Sequence, residues 1–109
     1  MAAQQKEALI RQYHLTQDVL NKPVSDEHIL EVQKTIPWRD VGPYLLGRGP
    51  KFDDIDRDGH NEEEKRKLTL DKWQDMFGHD ATYGLLIEAM VKAGKYRAAS
   101  EVCYLIKPG

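Results

Sequence analysis

The chain has one cysteine, Cys103, in 109 residues. A lone thiol excludes an internal disulfide framework and fits a reducing compartment. Long apolar runs are absent too. The longest, Val102 to Ile106, is five residues, against the ~20 that cross a bilayer as a helix. The opening stretch "MAAQQKEALIRQ" carries no apolar h-region and does not read as a secretory signal. Nor is there an excess of charge of one sign: a formal net charge of −2 supplies no global attraction to nucleic acid or to an anionic membrane. The expected location is cytoplasmic, either as a free protein or as the cytoplasmic part of a larger or membrane-attached one. β-Branched clusters and apolar–polar alternation are scarce, which argues against strands. With 40% apolar and 31% charged residues, what remains is an all-α domain long enough to bury one core.

Helix punctuation is plentiful. Leu9, Tyr13 and Leu20 share a face over roughly 4–21, and Pro23 follows, so one N-terminal helix is expected there. In "SDEHILEVQKTIPW", Ser25 is a cap, Asp26 and Glu27 favour the first turn, and Ile29, Val32 and Ile36 repeat at helical spacing. Trp38, Val41, Leu45 and Leu46 form the next stripe, ending at Gly47. Pro43 inside it predicts either a bend or a late start with Gly42 as cap. A short element with Phe52 and Ile55 precedes an acidic turn. Thr69, Leu70, Trp73 and Phe77 are expected inside a fourth helix. Thr82 caps a fifth with Leu86, Ala89, Met90 and Ala93 inward, and a sixth buries Ala99, Val102, Cys103 and Ile106.

"DDIDRDGHNEEEK" opens like a calcium loop, with Asp54, Asp56, Asp58 and Gly59 at the first, third, fifth and sixth positions. Its closing position, which needs a bidentate carboxylate, is Lys65. Asn61 stands where an apolar residue is usual, and "GRGP" interrupts the approach. A solvated acidic turn is the preferred reading, with no metal and no cofactor expected. The histidines 14, 28, 60 and 79 fall at no metal-ligand spacing and read as surface residues, with His60 and His79 as candidates for pH-sensitive interface contacts. Cys103 sits on an apolar face and reads as a small core residue. No base, orienter and oxyanion site assemble, so catalysis is not expected. Seven acidic residues between Asp53 and Glu64 precede the basic run Lys65–Arg66–Lys67. Such opposite patches suit docking between copies or relatives.

Taken in order, residues 25–106 resemble a death domain. "VSDEHILEVQKTIPWRDVGPYLLG" matches an apolar-patterned first helix, then Trp, a basic residue and a Leu-rich second helix ending in Gly. "FDDIDRD" is similar to the short third helix, and "RKLTLDKW" to the fourth with its buried Trp. "GHDATYGLLIEAMVKAGKYRAASEV" is the strongest match, with its capped fifth helix, Gly turn and Ala-rich sixth. Pro37, Pro43 and the extra N-terminal helix depart from the pattern.

The resemblance implies a six-helix antiparallel Greek-key bundle over 25–107, preceded by an N-terminal helical extension at 1–24. It also implies a non-enzymatic module whose partner is another death-domain protein, homotypic or heterotypic, in signalling complexes of apoptotic or innate-immune type. Neither nucleic-acid binding nor direct membrane binding is expected. Carried over, the contact residues are Arg39 and Asp40 on the second helix and Asp53, Asp54 and Asp56 on the third. The fourth supplies Lys65 and Arg66, the 4–5 corner Asp75 and Asp80, and the 5–6 turn Lys95 and Arg97. The alternatives are a calcium-responsive helical domain using 54–64 and an intramolecular docking domain of a larger protein.

Overall fold

Polar side chains begin four of the helices by taking up backbone N–H groups that the first turn leaves unpaired. Thr16 accepts from the Val19 N–H, Ser25 from His28 at 3.2 Å, Asn61 from Glu64 at 2.8 Å and Thr82 from Leu85. The structure, a computed structural model, describes residues 2–108. Eight helices follow in order: α1 (Ala2–Gln12), α2 (Gln17–Leu20), α3 (Asp26–Gln33), α4 (Trp38–Leu46), α5 (Pro50–Asp58), α6 (Glu62–Phe77), α7 (Tyr83–Lys92) and α8 (Tyr96–Ile106), with a 3₁₀ turn at Gly78–Asp80. Among the described residues no strand forms; an isolated bridge joins Pro23 and Thr82. Among the same residues no helix is long and apolar enough to cross a membrane.

The single N-terminal helix expected over 4–21 is two. Its break is a Schellman turn: Leu15 N–H donates to the Ile10 carbonyl at 2.9 Å and His14 N–H to Arg11 at 3.2 Å. His14 takes the left-handed position, φ 56, that glycine usually fills. α4 runs unbroken through Pro43, so neither the late start nor the Gly42 cap occurs. The ring removes the N–H that the Arg39 carbonyl would have received. α5 is longer than expected, beginning at Pro50 as a first-turn proline and absorbing Asp53 through Asp58. Only Gly59–Asn61 is left between helices. Asn61, out of place in a calcium loop, is the N-cap of α6.

α7 lies at the centre. Seven of its ten residues are buried, and it touches α1, α2, α4 and α8, while α6 packs on α3, α4 and α5. An all-round apolar helix has to be enclosed in this way. Leu9, Leu15, Leu20 and Val24 join the same cluster as Trp38, Trp73 and Leu86, so the N-terminal segment shares the core. Val24 N–H donates to the Ala81 carbonyl and Tyr83 N–H to Lys22, stitching that segment to the start of α7. Three expected core residues lie elsewhere: Phe77 is exposed, and Ala93 and Ile106 are partly buried against the cluster.

Candidate interaction surface

Trp38, the first residue of α4, is the base of the largest charged cluster. Its indole is buried and its N–H donates to the Glu62 carboxylate at the start of α6. Phe52 packs beside it, ring centroids 5.8 Å apart. The Arg39 guanidinium lies 4.7 Å and the Lys65 ammonium 5.4 Å from the centre of the indole ring, within cation–π range. Both cations reach one carboxylate: Lys65 to Asp56 at 3.1 Å and Arg39 to Asp56 at 3.3 Å. The hydrogen bond from Lys65 is the main cause that holds the Asp56 carboxyl below its ordinary value, and Arg39 adds to it. Three helices meet here: Arg39 and Lys65 share the Asp56 carboxylate, and the Glu62 carboxylate holds the indole N–H.

Three sequence-predicted residues, Arg39, Asp56 and Lys65, are thus brought together within one chain. The acidic and basic runs, expected to meet across molecules, partly neutralise each other at this point. Asp40 is claimed by Lys95 at 3.3 Å, joining α4 to the turn before α8. Asp54 is held by Arg57 one turn on at 2.6 Å, and Asp58 by the same guanidinium. The three carboxylates of the apparent calcium loop therefore sit on a helix and face cations. Arg66 turns away and donates to the Gln33 carbonyl at the end of α3. Arg97 lies 3.9 Å from Glu101 on its own helix. Asp53, Asp75 and Asp80 are exposed, with no cation within 4 Å among the described residues.

Sequence reasoning missed two contacts. Glu62 supports Trp38, and its place in an acidic first turn concealed that role. His28, read as a surface residue, is half-buried beside the Tyr83 hydroxyl; the pairing spans 55 residues of chain and left no local signal. Cys103 is fully buried, and burial pushes its thiol up to about 11, which keeps it neutral and a poor nucleophile. Among the described residues no three His, Cys, Asp or Glu side chains gather as a metal set would. The arrangement supports recognition through charge at exposed helix faces. Comparison with protein-family models, with curated proteins and with solved structures finds no match to this chain.

Proposed function

We propose that the chain is a non-enzymatic association module of the death-domain type. In this reading α3–α8 are the six helices of a Greek-key bundle, α1 and α2 form its N-terminal extension, and the partner is another death-domain protein in signalling-complex assembly. The observation that carries the reading is the cluster on Trp38, in which Arg39 and Asp56 are exposed and Lys65 is largely covered. Arg39 and Lys65 are held over an indole and against Asp56, so their charges are positioned before any partner arrives. Ordering long side chains in advance lowers the entropic cost of association, and charge at an exposed face sets encounter rate and register. The order of elements and the two buried tryptophans, Trp38 and Trp73, support the same reading.

The test is sedimentation velocity of the chain alone and mixed with a panel of death domains, at low and high salt, with Arg39→Glu and Asp56→Lys variants. Association that weakens with salt and with either reversal is expected. Association indifferent to salt and to both reversals, or none with any member of the panel, overturns the reading.

A further inference from the structure

An aspartate can react with its own chain: the backbone nitrogen of the next residue adds to the side-chain carboxyl carbon and closes a five-membered ring. A side chain on that next residue crowds the approach, so glycine, which has none, is the most permissive follower. Of the ten aspartates and two asparagines in the chain, Asp58 alone precedes a glycine. Asp75 and Asp80, equally exposed, precede Met76 and Ala81. Asp58 ends α5, its side chain is 56% exposed, and the connection to α6 begins directly after it.

Two contacts hold this peptide back. The Gly59 N–H donates to the Ile55 carbonyl at 3.0 Å, closing the last turn of α5, and the Asp58 carboxylate accepts from Arg57 Nε at 3.2 Å. Helical backbone keeps the carboxyl carbon away from the following nitrogen, so attack requires that last turn to open. Helix ends fray at little cost, and an ion pair as exposed as Arg57 and Asp58 adds little hold. On its other side Gly59 lies flush against α6, where a side-chain carbon built on it would collide with Lys65. Only Gly59–Asn61 separates the two helices, and Asn61 is spent as the cap of α6. The connection has no slack.

We propose that the Asp58–Gly59 peptide is a modification site: it isomerises spontaneously to isoaspartate when the last turn of α5 opens, and the product releases Lys65 from Asp56 and Trp38. In the open turn the Gly59 nitrogen attacks the Asp58 carboxyl carbon, Cγ. The N–Cγ bond forms, one Cγ–O bond breaks, and the hydroxyl leaves with the amide proton as water. The succinimide then takes water back at either carbonyl. Opening at Cγ restores aspartate; opening at the main-chain carbonyl leaves Gly59 joined through Cγ, with the α-carboxylate free. Mass is unchanged, but the main chain is one carbon longer. Beside Lys65 there is no room for that carbon, so the connection shifts. The Lys65 ammonium, 3.1 Å from Asp56 and 5.4 Å from the indole centre, loses both contacts. The reaction takes place whether or not the chain associates with a partner.

The experiment ages the full folded chain at neutral pH and physiological temperature, beside the same chain unfolded in urea. An endoproteinase that cuts before aspartate, and that isoaspartate blocks, then reads every aspartate in the unfolded digest. Cleavage before residue 58 is expected to disappear with no change in mass, while the other nine aspartates are cut as in fresh protein. The loss should run roughly tenfold slower in the folded chain, because only molecules with the last turn open react. The Trp38 indole N–H signal should shift on ageing, with Trp73, deep in the core, as the internal reference. Asp58→Glu, whose ring closure needs six members, should show neither change. A folded chain that forms no isoaspartate at 58, or forms it as fast as the unfolded chain, overturns the gated reaction. Isoaspartate with an unmoved Trp38 signal, or a Trp38 shift that Asp58→Glu shares, overturns the release of Lys65.

Discussion

The Nδ1 of His28 lies 2.6 Å from the hydroxyl oxygen of Tyr83. The two rings meet edge-on, centroids 5.6 Å apart and planes at 68°. The same hydroxyl receives the Ser25 N–H at 3.1 Å, while Ser25 caps α3 through its own side chain. One phenol thus ties the start of α3 to the first turn of α7, the helix at the centre of the core. Such a directional hydrogen bond between the two ends adds to what side-chain packing already sets.

Tyr83→Phe should lower stability by about 1–2 kcal/mol, because it keeps the ring volume and leaves a half-buried N–H and an imidazole without their partner. Urea unfolding measures the loss, and a double cycle with His28→Ala isolates the pair. A loss below about 0.5 kcal/mol, the scale of an ordinary surface change, would show that the hydroxyl does not hold these helices.

Acid should loosen the charged cluster on Trp38. Lys65 first, then Arg39, hold the Asp56 carboxyl below 3.8, so the folded carboxyl gives up its proton more readily than the unfolded one. The contribution to stability is complete above pH 3.8 and is lost as pH falls further through the depressed folded value. Carbon-detected NMR titration of Asp56 should place its midpoint below the ordinary aspartate value of about 3.9. The Trp38 indole signal should move with it. In Asp56→Asn the indole should show no such step; an unchanged step would assign the acid response to another carboxyl.

Two Schellman turns offer an internal comparison. Gly94, at φ 74, ends α7 as His14, at φ 56, ends α1: Lys95 N–H donates to the Met90 carbonyl and Gly94 N–H to Val91. A left-handed L-residue costs roughly 1–2 kcal/mol, partly offset because glycine is floppier in the unfolded chain. Gly94→Ala should therefore destabilise by about 1 kcal/mol, and His14→Gly should stabilise by up to about 1 kcal/mol. Thermal unfolding of both variants checks the signs. A destabilising His14→Gly would mean that the imidazole makes a contact worth more than the strain.

Several features were legible one segment at a time because their cause is local. Ser25 and Thr82 cap as read, since a hydroxyl three residues before a free N–H needs no tertiary help. Trp38, Val41, Leu45 and Leu46 are all buried, as their spacing on one helix requires. The same periodicity places Phe77 inward, yet it is 39% exposed. The charged residues were the least legible. Asp56 and Lys65 are nine positions apart and Arg39 is seventeen from Asp56, and nothing in either spacing brings them onto one indole.

The sequence by itself determined the all-α class, most helix boundaries and the apolar faces, because caps, prolines, glycines and 3.6-residue periodicity act within a turn or two of chain. Tertiary structure alone decided that the N-terminal segment shares the core, that Asp54, Asp56 and Asp58 are spent on cations of their own chain, and that Asp75 and Asp80 have no cation within 4 Å among the described residues. Which charges pair depends on how helices distant in sequence are set against one another. That placement is fixed by packing around α7, where many weak contacts are satisfied together, rather than by any short motif.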